Sequence, residues 1–247
     1  MVDAVAPVSE YVARRDVERV FLPAHKVHPI PNGIDPARFP CPRRPAGRTP
    51  RVVFAGQRIT EKGVDTLLDA AVRLRRDESA AAFELQIAGA GPLREHLEQA
   101  AAAARLTDTR FLGQVADVPA LFASADVVVV PSRWAEAFGY VAIEAMACGA
   151  AVLVSDAGAL PEVVRDVGVV FRTGDPSDLA AKLAGLLADP ADRLVRGLAG
   201  RRLVETHYQL TTKVLRHFTL FMKVLPAGQL FAEETPAAVR SKVLGGK

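Results

Sequence analysis

From Val52 onward the sequence repeats one order: an apolar run, a loop carrying glycine, then an amphipathic stretch. That repetition limits the fold more than any single motif does. Val52 to Ala55 reads as a strand, and Val64 to Arg75 as a helix with apolar residues at helical spacing. Phe83 to Ala88 is the next strand, followed by Gly89-Ala90-Gly91-Pro92 and a helix from Leu93 to about Ala104. Arg110 to Leu112 fits a short strand, and Val118 to Ala123 a short helix capped by Asp117. Val127 to Val130 is a β-branched run suited to a strand buried on both faces. After the Glu136 to Cys148 segment come strand Ala151 to Val154 and a last strand, Gly168 to Phe171. Thr173-Gly174-Asp175-Pro176 then supplies an N-cap and a first-turn proline for a helix ending near Leu187, and another helix runs from about Ala191 to Glu205. About six strands alternating with helices predict an α/β fold, a Rossmann-like open parallel sheet with helices on both faces. Such sheets bind ligands beyond the carboxyl ends of their strands, so the βα loops are where chemistry belongs.

The flanks differ. Eight prolines fall between Pro23 and Pro50, and Ile30-Pro31-Asn32-Gly33-Ile34-Asp35 is a strong turn signal. Leu210 to Val224 reads as an amphipathic helix carrying Lys213, Arg216, His217 and Lys223, and the chain beyond Pro226 is expected to be poorly ordered. With 31 Lys and Arg against 28 Asp and Glu, the charge balance argues for neither nucleic acid nor a membrane surface. Cys41 and Cys148 match no metal or redox spacing and read as free thiols of a reducing compartment. No early run resembles a signal peptide, and Glu144 and Gly149 interrupt the longest apolar stretch, so no transmembrane segment is expected. The expected localisation is cytoplasmic, with attachment at the inner membrane surface through the basic helix as the alternative.

Three loops can carry chemistry. Gly56-Gln57-Arg58-Ile59-Thr60-Glu61-Lys62-Gly63 fits neither a Walker loop nor a dinucleotide fingerprint, but it puts cations Arg58 and Lys62 where a diphosphate would lie at the sheet edge. Gly89-Ala90-Gly91-Pro92 lets a ligand approach the backbone closely. In the third loop, Pro131 to Gly139, a helix start near Gly139 leaves the amides of Gly139, Tyr140 and Val141 facing outward as an anion site. Between Glu136 and Asp156 the only charged side chain is Glu144, set among apolar residues and expected to be buried. An unpaired buried carboxylate costs several kcal/mol or more, so it needs a partner. Two partners remain open: the ribose hydroxyls of a nucleotide, or a nearby Arg or Lys. Glu136 could face a group attached to the diphosphate or be a solvated loop acid.

The segment Glu136-Ala-Phe-Gly-Tyr-Val-Ala-Ile-Glu144-Ala-Met-Ala-Cys-Gly149 resembles the Glu-x7-Glu signature of family 4 glycosyltransferases, retaining enzymes of the GT-B fold that use nucleotide sugars. Ile30 to Asp35, Phe54 to Gly63, Ala88 to Pro92, Phe111 to Gly113, Ala125-Asp126 and Pro131-Ser132 follow in the family's order, and the likeness covers roughly residues 1–208. The resemblance implies that Glu144 binds the ribose and Glu136 contacts the donor sugar. It implies that Lys62, an arginine and the amides around Phe138, Gly139, Tyr140 and Val141 hold the diphosphate. Gly56, Gln57 and Gly91 would line the loops against the donor, and the backbone near Gln114 and Val115 would meet the base. Glu136, Lys62 and Arg58 are the residues implied to act in transfer. No cofactor or metal is implied beyond the nucleoside diphosphate sugar, and the sequence contains no Asp-x-Asp.

Two departures from the family stand out. Its usual arginine after the first loop glycine is replaced by Gln57, with Arg58 one place later. By the resemblance, most of an acceptor-binding N-terminal domain is also expected to be missing from this chain. Residues 1–50 resemble that domain's last strand and helix plus an interdomain linker, residues 51–208 the donor half, and residues 209–225 a helix that returns to the absent domain. The expectation is a donor-binding portion that transfers poorly alone, with an exposed interdomain face open to a separately encoded domain or to self-association. The rivals are a non-catalytic nucleotide-binding or protein-interaction remnant, and a nucleotide-sugar epimerase of the same fold.

Overall fold

The computed structural model describes residues 2–42, 47–77 and 80–225. The tail beyond Pro226 therefore lies outside the described residues. One parallel six-stranded sheet organises the chain, with strands β1 (Arg51–Ala55), β2 (Glu84–Ala88), β3 (Thr109–Gly113), β4 (Val127–Val130), β5 (Ala151–Ser155) and β6 (Val169–Phe171) in the order β3-β2-β1-β4-β5-β6. β4 shows why the sheet lies inside. All four of its valines are buried, and alternate ones serve opposite faces.

On one face Val53, Val128 and Val152 pack with α4 (Val118–Ser124), α5 (Tyr140–Ala147), α6 (Leu160–Val164) and α8 (Pro190–His207). On the other, Val52, Val127 and Leu153 pack with α2 (Val64–Arg76), α3 (Arg94–Ala103) and α7 (Pro176–Ala188). Caps set the helix starts as the side chains dictate. Asp117 Oδ1 accepts from Ala120 N, and Asp175 accepts from Ser177 N and Asp178 N ahead of Pro176. Helix α6 was not expected from the sequence. Its five residues, with proline in the first turn, are too few to show a helical period.

Before the sheet, helix α1 (Glu10–Arg19) lies between Val5 and Val27, which form an isolated parallel bridge. The turn around Asn32 meets the end of α8: Ile34 N donates to Tyr208 O and Leu210 N to Ile34 O, at 2.8 and 2.9 Å. There α9 (Leu210–Val224) begins, matching its expected span, and Lys213 Nζ donates to Asn32 Oδ1 at 2.8 Å. Helix α9 buries none of its residues, and Val214, Leu215, Phe218 and Phe221 are each more than half exposed. Among the described residues no helix is long and apolar enough to cross a membrane, and neither Cys41 nor Cys148 is in a disulfide.

Candidate functional site

The strand order reverses between β1 and β4, and parallel sheets of this kind bind ligands in the crevice outside the carboxyl ends at that point. The loop after β1 carries Arg58 and Lys62, and the loop after β4 carries Ser132 and Glu136. Both therefore open onto the same crevice, and the backbone stitches them together. Arg133 N and Trp134 N donate to Glu61 O at 2.8 and 3.2 Å. The Arg133 guanidinium adds an ion pair to Asp65 at 3.0 Å and a hydrogen bond to Thr66 Oγ1 at 2.9 Å. The crossing is close enough to require Gly63, whose φ is +65° and whose added Cβ would lie 1.9 Å from Pro131 O.

This crossing sets Lys62 against Glu136. Lys62 Nζ lies 2.6 Å from Glu136 Oε1, and Ser132 Oγ donates to the same oxygen at 2.8 Å. Fully buried Ser155 on β5 in turn donates to Ser132 O at 2.6 Å. Among the described residues Glu136 Oε2 receives no hydrogen bond. Glu136 is thus not a solvated loop acid. It is a carboxylate held through one oxygen, with the other available to a hydroxyl. Its backbone is held as well: Ala159 N donates to Glu136 O at 2.8 Å, across a bridge between Glu136 and Gly158. At Gly158 an added Cβ would lie 2.3 Å from Glu136 O, so only glycine permits that approach. Ser132, Ser155 and Gly158 were not singled out as site residues from sequence. The one available signal was a serine four places before Glu136, at the end of a buried strand.

Helix α5 begins where the glycine predicts. Gly139 is its N-cap, with no side-chain cap, and among the described residues the amides of Gly139, Tyr140 and Val141 donate no hydrogen bond. They form a short positive edge at the crevice. Glu144 lies about one turn into the helix. It is half-buried rather than buried, and among the described residues its carboxylate has neither a hydrogen bond nor an ion pair. The structural ion pair weighed from sequence is therefore not what holds it. Burial pushes the Glu144 carboxyl above the ordinary glutamate range.

The remaining residues singled out from sequence divide. Gln57 and Gln114 are exposed, Gly56, Gly91 and Val115 are half-buried, and Tyr140 is 44% exposed. Phe138 is buried, its ring edge-on to those of Tyr140 and Tyr208 at 5.5 and 5.7 Å, so its side chain belongs to the core. Arg58 is 1% exposed, and its Nη1 lies 3.7 Å from Glu98 on α3. Its Nε and Nη1 have no hydrogen-bond partner. Its backbone joins the first two loops, Arg58 N donating to Ala90 O and Leu93 N to Arg58 O at 2.8 and 3.2 Å. Lys62, Glu136 and Ser132 thus come together, whereas Arg58 pairs with α3. Among the described residues no cluster of His, Cys, Asp or Glu could hold a metal ion.

Comparison with known proteins identifies the family. The family model described as glycosyl transferases group 1 matches residues 49–189. A glycogen synthase of Mycobacterium tuberculosis (strain CDC 1551 / Oshkosh) is 36% identical over 189 residues, covering 74% of this chain and 45% of that protein. A GDP-mannose-dependent alpha-(1-6)-phosphatidylinositol monomannoside mannosyltransferase of Mycolicibacterium smegmatis is 33% identical over 235 residues, covering 87% of this chain and 60% of that protein. A glycosyltransferase structure from Rickettsia africae superposes with a TM-score of 0.83 at 18% identity, covering 92% of this chain and 64% of that one, a likeness of fold. The chain spans about half the length of the curated relatives it matches. By the family match over its whole sheet, the chain belongs to the group 1 glycosyl transferases.

Proposed function

We propose that the crevice between β1 and β4 binds a nucleoside diphosphate sugar, and that the chain is the donor-binding portion of a retaining, family 4-like glycosyltransferase that transfers the sugar to an acceptor hydroxyl. The observation carrying this reading is the pairing of Lys62 with Glu136 at 2.6 Å beside a helix start whose first amides donate to nothing among the described residues. A cation, free amides and a carboxylate with one open oxygen are what a diphosphate carrying a sugar requires. The Glu144 carboxylate, unpartnered among the described residues and one turn on, accepts hydrogen bonds from the two ribose hydroxyls. The backbone at Gln114 and Val115 meets the base, while Gly56, Gln57 and Gly91 let the first two loops lie against the donor.

In this reading the diphosphate displaces Glu136 from Lys62. The lysine then pairs with phosphate oxygens, and the freed Glu136 turns to a sugar hydroxyl while Ser132 keeps its position. As the bond from sugar to phosphate breaks, negative charge grows on the departing diphosphate, and Lys62 and the α5 amides already face it. Arg58 adds positive charge at the same loop. No metal or cofactor enters this proposal. The acceptor, whose hydroxyl receives the sugar, is held by a second domain that covers α9, and transfer by this chain alone is accordingly slow. The cytoplasm, where Cys41 and Cys148 stay reduced, is the proposed compartment.

Lys62→Met tests the assignment of the diphosphate. Affinity for the nucleoside diphosphate is expected to fall about tenfold or more, the worth of one charge-assisted hydrogen bond. Affinity for the parent nucleoside should not change. Fluorescence titration through Trp134, the chain's only tryptophan, can follow both. An equal loss for both ligands would contradict the role given to Lys62.

A further inference from the structure

The loop carrying Glu136 is also held by a segment that lies outside the region matched to the family, residues 49–189. Ser9, the N-cap of α1, is 1% exposed, and its Oγ donates to Ala137 O at 2.7 Å while accepting from Val12 N at 3.1 Å. The same helix start is gripped by α6. Both carboxylate oxygens of Glu162 receive α1 amides, Oε1 from Glu10 N at 2.8 Å and Oε2 from Tyr11 N at 3.0 Å. The turn leading into α6 holds the site, because Ala159 N is the donor to Glu136 O. Tyr208 OH braces the other end of α6 by donating to Val163 O at 3.1 Å. Two elements far apart in sequence, α1 and the Glu136 loop, thus hang on one short helix and are joined directly through Ser9.

We propose that Ser9, supported by Glu162, is a positioning residue for Glu136, so that the donor site's sugar-facing carboxylate is set in part by the helix that precedes the proline-rich segment. The inference rests on the reading of the crevice given above. Four bonds define where the Glu136 carboxylate sits: Lys62 Nζ and Ser132 Oγ on its side chain, Ala159 N on its own carbonyl and Ser9 Oγ on the next carbonyl. Burial of Phe138 holds the start of α5 independently. Loss of the Ser9 bond therefore loosens the sugar end of the site more than the diphosphate end. Because α1 is bonded to the loop, displacement of α1 is transmitted to Glu136.

The test is calorimetric titration of the full chain and its Ser9→Ala, Ser9→Thr and Glu162→Gln variants. The ligands are UDP, GDP and ADP, each beside its sugar nucleotide: UDP-glucose, GDP-mannose and ADP-glucose. For the base that binds, Ser9→Ala is expected to weaken the sugar nucleotide about tenfold relative to the nucleoside diphosphate, whose own affinity moves less than about twofold. Ser9→Thr keeps the hydroxyl and should restore the ratio, and Glu162→Gln should shift it in the same direction as Ser9→Ala. A general loss of structure would weaken both ligands together. An unchanged ratio in Ser9→Ala and Glu162→Gln, or equal weakening of both ligands, overturns the positioning role and leaves the donor-site reading standing. Failure of the unaltered folded chain to bind any of the six ligands overturns that reading and the positioning role with it. Should Ser9→Ala not fold, Glu162→Gln decides the question by the same ratio.

Discussion

Glu144→Ala is expected to weaken nucleoside diphosphate binding about 100-fold, because hydrogen bonds to a charged group are worth roughly 1.5–3 kcal/mol each and the ribose makes two. The same residue should act on stability with the opposite sign. Its carboxyl titrates above the ordinary range because burial disfavours its charge, and no partner among the described residues offsets that. The folded chain therefore holds this proton at pH values where the unfolded chain has released it. Stability falls as pH rises through that window and stays lower above it. Glu144→Gln removes the dependence. It should melt above the unaltered ligand-free protein at pH 7, with the difference vanishing as pH falls below the ordinary glutamate range. Saturating ligand should reverse the order, since only the carboxylate form binds well. A residue that weakens the empty protein and strengthens the complex marks a site held ready for ligand. A purely structural glutamate would move both in one direction.

Gly63→Ala is the second large effect. Left-handed backbone alone costs a non-glycine residue about 1 kcal/mol. Here the added carbon would also lie 1.9 Å from Pro131 O and 2.9 Å from Pro131 C, both backbone atoms that cannot rotate away. The two loops must part, breaking the bonds from Arg133 N and Trp134 N to Glu61 O. A loss of about 3 kcal/mol or more is expected, seen as a fall of roughly 10 °C in melting temperature. Gly174→Ala is the control, because its φ is +73° but nothing lies within 4 Å of the added carbon. It should lose only the backbone penalty. Since Lys62 precedes Gly63, the Gly63 variant should also bind nucleoside diphosphate more weakly at temperatures where it remains folded. Equal losses at both glycines would contradict the account of the crossing.

Much of the sheet was legible because its signals are local. The valine run of β4 and the aspartate and proline at the start of α7 state their structure within a few residues, and those boundaries held to within a residue or two. Helix α6 was not legible. Its direction is set by what packs on it, with Leu160 and Val164 in the core and Glu162 reaching α1. In the site, Glu144 stands out as a lone carboxylate in an apolar run, whereas Glu136 and Lys62 take their roles from the family resemblance. The residues that hold the Glu136 loop do not stand out, because Ser9, Ser155 and Gly158 act through contacts that sequence spacing does not encode. Arg58 shows the limit from the other side. A cation in a loop at the sheet edge suggests a phosphate contact, but spacing does not show that its guanidinium lies buried, 3.7 Å from Glu98 on α3.

Isothermal titration of the folded chain with UDP, GDP and ADP tests the central claim most directly. The account predicts saturable binding of at least one of the three at one site per chain, and about 100-fold weaker binding of that nucleotide by Glu144→Ala. No binding of any of the three by folded protein, or binding that Glu144→Ala leaves unchanged, would contradict it.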